Sequence, residues 1–160
     1  MAETTNAAQA GGSALYLEDL AVGDRFTTDG HAIDAEQIKA FANLFDPQRF
    51  HTDEEAAKAS LLEGLAASGW HTAAITMRLL VTSGPKMAEG IIGGGGEIAW
   101  PKPTRPGDVL HVVAEVVDIM PSRSKPGRAM VRMRCETLNQ HGDVVQLFSP
   151  KMVVESRKAG

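Results

Sequence analysis

An α+β fold, with one long buried helix held against an antiparallel sheet, is the class this sequence predicts. Three observations carry it. Apolar residues recur at helical spacing between positions 34 and 64. The next segment, LAASGWHTAAITMRLLVTSG, is apolar nearly all round. From Ile91 onward the period shortens to two, with turn signals between the runs. Helices followed by a run of strands is the order of a segregated antiparallel sheet, not of alternating parallel units.

The opening MAETTNAAQAGGSA has neither the basic start nor the apolar run of a secretory signal. We read residues 1–14 as a flexible tail, 15–156 as one domain and 157–160 as a short second tail. LYLEDLAVGDRFTTDGHAI holds a turn at 22–24 and then a short strand. In IDAEQIKAFANLFD, Asp34 is placed to cap a helix with Gln37 three positions on. Ile38, Phe41, Ala42 and Phe45 share one face, and Pro47 stops the helix. TDEEAAKASLLEG reads as a second helix, with a capping box from Thr52 and Glu55 and a stop at Gly64. In the third helix only Arg78 interrupts the apolar centre, so other structure is expected to wrap it.

The strands follow. VLHVVAEVVDI, AMVRMRCET and VVQLFSPKMVVE alternate, with Val131, Met133 and Cys135 on one face and Arg132, Arg134 and Glu136 on the other. NQHGD is the hairpin turn between two of them. The run Gly93 to Gly96 is no phosphate cradle, because no Lys-Ser/Thr and no helix follow it; it reads as a flexible entry to a strand that passes close to another backbone.

Composition bounds the function. A chain of 160 residues makes one domain, able to bury about two thirds of its unfolded surface. With 43% hydrophobic and 22% charged residues and a net charge of -4, it offers no basic surplus for nucleic acid, which leaves small molecules or other subunits as partners. No segment approaches the length of apolar residues that a membrane span requires. The single cysteine, Cys135, faces the core by its alternation and forms no intrachain disulfide; a reducing, cytoplasmic location is expected.

The stretch FDPQRFHTD carries the candidate chemistry. Asp46 ends a helix, where the partial negative charge disfavours a carboxylate and desolvation would push its pKa upward, toward proton transfer near neutrality. An Asx-type turn with Pro47 is the alternative. His51 lies five positions on, and Pro47 forces a compact loop that could bring the two side chains together; alone, the histidine would be structural. Asp53 reads as a first-turn acid complementing the helix dipole. As metal ligands, Asp46, His51, Asp53 and His71 lack the spacing of a known site, and no metal is expected. A nucleophile is also unsupported, since G-x-S-x-G is absent and Cys135 points inward. Gly69 begins the third helix, where unpaired N–H groups could stabilise a developing oxyanion; alternatively Ser68 is an N-cap and Gly69 relieves crowding.

FDPQRFHTDEEAAKAS, then ASGWHTAA, then WPKPTRPGD and the hairpin strands resemble the MaoC-like acyl-CoA dehydratases, relatives of the (R)-specific enoyl-CoA hydratases, from Tyr16 to Val154. In that family the loop reads Asp, x, Asn, Pro, x, His, and Asp46 and His51 match its acid and its histidine. Gln48 stands where the family often has Asn, and Arg49 where it has Pro. Ser68-Gly69 replaces the common His-Gly, with Gly69 matching the glycine whose N–H meets the thioester carbonyl. The resemblance implies a hotdog fold, an antiparallel sheet wrapped around one long helix, and a homodimer or a multiple of one. It implies reversible syn hydration of a trans-2-enoyl-CoA to an (R)-3-hydroxyacyl-CoA. Asp46 and His51 would then be acid and base and Gly69 the oxyanion donor, with no metal or redox cofactor and coenzyme A arriving as part of the substrate. Further substrate contacts would fall to Gln48 and Ser68 beside the pair. Trp70 and Trp100 would either line the acyl tunnel or fill the core. Arg123 and Arg128 of SRSKPGR would either meet the coenzyme A phosphates or sit in a solvated hairpin loop. A hotdog thioesterase and a non-catalytic acyl-binding hotdog subunit are the rival readings, and retention of both Asp46 and His51 favours the dehydratase.

Overall fold

The computed structural model describes residues 12–158. After a single 3-10 turn, Leu17–Asp19, the order is β1 (Arg25–Thr27), β2 (His31–Ala32), α1 (Ala35–Phe45), α2 (Arg49–Thr52), α3 (Glu54–Lys58), α4 (Gly69–Ser83), β3 (Ile92–Ala99), β4 (Val109–Pro121), β5 (Arg128–Leu138) and β6 (Val144–Glu155). The strands pair antiparallel in the order β1-β4-β5-β6-β3, with β2 also on β4. This is the α+β hotdog arrangement: α4 is the central helix, and the sheet packs around one side of it.

The alternation seen in the sequence holds. Leu110, Val112, Ala114 and Val116 of β4, and Val131, Met133 and Cys135 of β5, are buried against Ile75, Leu79 and Leu80 of α4 in one core. Each such aliphatic side chain, fully removed from water, contributes about 1.5–3 kcal/mol. The hairpin turn closes through Asn139, whose Oδ1 accepts from the N–H groups of His141 and Asp143.

Four details differ from the sequence reading. Ile38 and Ala42 are buried on α1, but Phe45 is exposed, because the helix ends there and its last turn overhangs the core. The cap of the next helix is Asp53, not Thr52: its Oδ1 accepts from the N–H groups of Glu55 and Ala56, and α3 stops at Lys58, well before Gly64. The central helix is wrapped on one face only. Trp70, Ala74, Met77 and Val81 form an exposed stripe at i, i+4, i+7 and i+11. The glycine run lies inside β3 rather than before it. Opposite it stands Pro150 of β6, which has no N–H to give, and the register shifts between Gly93 and Gly96. A β-carbon on Gly96 would come within 2.8 Å of the Ser149 carbonyl oxygen, so the close backbone approach is real.

Residues 1–11 of the expected N-terminal tail, and 159–160 of the C-terminal one, lie outside the described residues. Arg157 is tied down: its guanidinium pairs with Asp19 at 2.6 Å and lies over the Tyr16 ring.

Candidate active site

Pro47 organises the loop. The residue before a proline avoids the helical region, and Asp46 accordingly leaves it, at φ -153° and ψ 69°, while its N–H still closes the last turn of α1 on Ala42. The chain turns at once: the Gln48 N–H donates to the Asp46 carbonyl at 2.8 Å, and Arg49–Thr52 coils into the short α2. This reversal brings Oδ2 of Asp46 to 3.4 Å from Nε2 of His51.

Both side chains are held from behind. Nδ1 of His51 lies 2.6 Å from the Ala66 carbonyl oxygen, which can only accept, so Nδ1 carries the hydrogen and Nε2 is the atom free to gain or lose a proton. The hydroxyl of Ser68 donates to Oδ2 of Asp46 at 2.7 Å, and the Gln48 amide donates to Oδ1 at 2.7 Å. Desolvation pushes the Asp46 carboxyl upward, but the bonds from Ser68 and Gln48 and the nearby His51 together outweigh it. Its pKa is lowered from the ordinary carboxylate value, the opposite of the direction expected from the helix end alone. The donors on its two oxygens were invisible in the sequence, and they decide the sign. Asp46 is therefore ionised at neutral pH.

Ser68 is the N-cap of α4, accepting from the Trp70 N–H at 3.3 Å with the same oxygen that serves Asp46. It is fully buried and its hydrogen is spent on the acid, so that it orients the Asp46 carboxylate. Gly69 follows as the first residue of the helix, and its N–H has no acceptor among the described residues. That N–H, at the positive end of a 15-residue helix, is suited to an oxygen gaining negative charge.

His51, Gly69 and Trp100 line a cavity of about 290 Å³, together with Phe50, Thr72 and Thr104 among others. Of the two tryptophans proposed for a tunnel, only Trp100 lines it; Trp70 lies edge-on to Trp100 on the exposed stripe of α4. Gln48 is at the site but exposed. Arg123 and Arg128 are elsewhere. Arg128 starts β5 and pairs with Glu155 at 2.6 Å, nine residues and about 30 Å along the strand from Thr137, which is hydrogen-bonded to Thr76 of α4. Within one chain they do not approach the pair. His71, weighed as a metal ligand, stacks face to face on Phe41 at 4.5 Å, and among the described residues no three of His, Cys, Asp and Glu gather as a metal site would require. Burial pushes the Cys135 thiol up to about 12, as befits a core residue.

Two supporting residues were missed. Arg105 donates to the carbonyls of Leu62, Gly64 and Leu65, and so fixes the loop that presents the Ala66 carbonyl to His51. Gln146 is completely buried; its Oε1 accepts from Nε1 of Trp100 at 2.9 Å and its amide donates to Thr76. A glutamine inside the apolar run VVQLF was the available signal for the second. Nothing periodic marks the first.

The profile of the MaoC like domain matches residues 19–136. The chain belongs to the MaoC-like dehydratase family. A MaoC-like dehydratase from Rhodospirillum rubrum, known from a crystal structure, is 62% identical with a TM-score of 0.90, over 91% of this chain and all (100%) of that one. YdeM of Bacillus subtilis (strain 168), named as uncharacterized, is 34% identical over 128 residues, 79% of this MaoC-like chain and 89% of its own length. The (R)-hydratase PhaJ1 of Pseudomonas aeruginosa shares the fold, with a TM-score of 0.73 at 22% identity over 91% of this chain and 89% of that one. Within this MaoC-like fold, no helix among the described residues is long and apolar enough to cross a membrane.

Proposed function

We propose that this protein catalyses the reversible syn hydration of a trans-2-enoyl-CoA to an (R)-3-hydroxyacyl-CoA, as a cytoplasmic enzyme. The observation that carries the reading is the approach of Asp46 Oδ2 to His51 Nε2, 3.4 Å apart, beside a cavity lined by Gly69, whose N–H has no acceptor among the described residues.

The chemistry follows from the atoms. Water adds its oxygen to the β-carbon, while one proton leaves the water and one reaches the α-carbon on the same face. The Asp46 carboxylate and the lone pair of His51 Nε2 hold the water between them, and the pair takes its proton. The pair then returns a proton to the α-carbon, so that the addition is balanced with no external acid or base. Because the two groups are coupled, the proton belongs to the pair. The thioester oxygen becomes enolate-like as addition proceeds, and the Gly69 N–H bonds it more strongly there than in the ground state. Nothing in this sequence of steps calls for a metal or a redox cofactor.

The reading extends to a homodimer. The β3 edge is open, and α4 carries an exposed apolar stripe of Trp70, Met77 and Val81, two features that a second copy would cover.

Crotonyl-CoA, followed by its enoyl absorbance with a thiol reagent in the same cuvette, tests the reaction. Absorbance should fall to an equilibrium while free thiol stays at background, and chiral analysis should give the (R) alcohol. Stoichiometric thiol release without a hydroxyacyl intermediate would overturn the reading in favour of the thioesterase, and inertness toward every member of a panel of enoyl-CoA and 3-hydroxyacyl-CoA thioesters would favour the non-catalytic subunit.

A further inference from the structure

Two threonines, Thr72 and Thr104, line part of the cavity beside Asp46 and His51. Their Oγ1 atoms are hydrogen-bonded to each other at 2.9 Å, and each residue is only 2% exposed. Two hydroxyls hold two hydrogens, and their mutual bond uses one. Neither oxygen has another partner among the described residues, so one O–H donor and spare lone pairs remain in the wall. An apolar acyl chain would leave that donor unsatisfied, at the cost of a lost hydrogen bond.

The position of this pair within the cavity is defined by the helix. Thr72 follows Gly69 by three residues, so it lies one turn, about 5 Å, along the same face of α4 from the N–H assigned to the thioester oxygen. A group that meets it belongs to the distal end of a short chain. The cavity is also small: about 290 Å³ has room for roughly ten non-hydrogen atoms, at about 30 Å³ each. Its Trp100 wall is braced, because the indole is bonded to Gln146, Gln146 to Thr76, and Thr76 to Thr137, all buried behind it. The charge available is neutralised: Lys102, the cation lining the cavity, is paired with Asp143 at 2.6 Å. An acyl carboxylate would enter without a free counter-charge.

We propose that Thr72 and Thr104 form a specificity subsite for a short acyl-CoA thioester, of about four or five carbons, that carries a neutral hydroxyl near its distal end. A hydroxyl both gives and accepts, and so satisfies the donor and a lone pair of the threonine pair together. This names the substrate class for the enoyl-thioester reading and rests on it, but binding tests it apart from turnover.

Saturated thioesters have no double bond to hydrate, so their affinities can be measured by calorimetry whatever the reaction. 4-Hydroxybutyryl-CoA should bind about tenfold more tightly than butyryl-CoA, as one added buried hydrogen bond allows. Succinyl-CoA and octanoyl-CoA should bind more poorly than both. Thr72→Val and Thr104→Val, each close in shape to the native side chain, should abolish the preference, and Thr72→Ser should restore it. Circular dichroism on each variant separates loss of the subsite from loss of the fold, and either valine variant that folds suffices. Equal affinity for the hydroxylated and plain chains in the native protein would overturn the proposal, as would tightest binding of succinyl-CoA or octanoyl-CoA, or a preference that survives in a folded valine variant. The hydration assay, run with crotonyl-CoA and with 4-hydroxycrotonyl-CoA, is read separately: a hydroxyl preference without hydration of either supports the subsite and removes the dehydratase reading, and hydration without the preference does the reverse.

Discussion

A β-carbon at position 69 would fall 2.6 Å from Cε2 of Trp100, so the indole of Trp100 occupies the space that any side chain on Gly69 would need. The glycine therefore serves two ends. Its N–H heads the helix at the cavity, and its bare Cα lets the indole lie flush as a wall.

Gly69→Ala should destabilise the fold by about 1–3 kcal/mol, because the braced indole must move. Removing the indole as well relieves that clash. The double variant Gly69→Ala/Trp100→Ala should be less destabilised than the sum of its single variants, by about 1 kcal/mol. Urea unfolding of the four proteins measures this, and strict additivity would show that the indole is not what excludes a side chain at 69.

Asp46→Asn and His51→Ala should each lower kcat by about 10² to 10⁴ with the fold intact. Ser68→Ala gives a finer test. It removes a donor that holds the Asp46 carboxyl low, so the Asp46 pKa should rise. The carboxylate form is the working one, and activity is lost as pH falls through that pKa. The acid limb of the rate profile should therefore move to higher pH in Ser68→Ala, accompanied by about 1 kcal/mol of lost stability from the missing cap. An unmoved acid limb would remove Asp46 from the titrating groups of the reaction.

Much of this site was legible because its parts are close in sequence. Asp46, Pro47 and His51 fall within six positions, and a proline's effect on the residue before it is local physics. The strand faces were legible for the same reason, since period two is a property of each strand alone. What sequence could not show is long-range. The sign of the Asp46 shift depends on Ser68, 22 residues away, and the orientation of His51 depends on the Ala66 carbonyl, 15 residues away and fixed by Arg105. The cap of α3 was misread between neighbours, Thr52 and Asp53, because both residue types cap well and only the backbone decides which stands at the junction.

Burial of His71 should make the fold sensitive to acid. Its Nδ1 is buried without a partner among the described residues, and burial, with a smaller contribution from His31, lowers its pKa from 6.5 to about 4. Below about pH 6.5 the unfolded chain takes up a proton that the folded chain refuses, so the stabilisation is complete above that value and lost as pH falls toward about 4. Between about pH 7 and about pH 5 the loss should be about 2 kcal/mol. His71→Phe keeps the stack on Phe41 and removes the titration. Urea unfolding at both pH values should show a markedly smaller difference for that variant; an unchanged difference would assign the acid sensitivity to other groups.

Assembly gives the last prediction. A free sheet edge invites pairing, and β3 presents one, with four consecutive glycines and Glu97 as its only charge. On one face of α4, Trp70 and Val81 are each 60% exposed and Met77 40%, an apolar stripe of the kind that marks an interaction surface. If a second copy covers this face, sedimentation at micromolar concentration should report a dimer or a multiple of it. Met77→Glu and Val81→Glu should then each shift the mass toward the monomer, because a carboxylate buried between two apolar stripes has no counter-charge to pair with. The glutamates would remain solvated in a monomer, so the folded content of the variants should survive. A native protein that sediments as a monomer would end the proposal, and a dimer indifferent to both substitutions would move the interface away from α4.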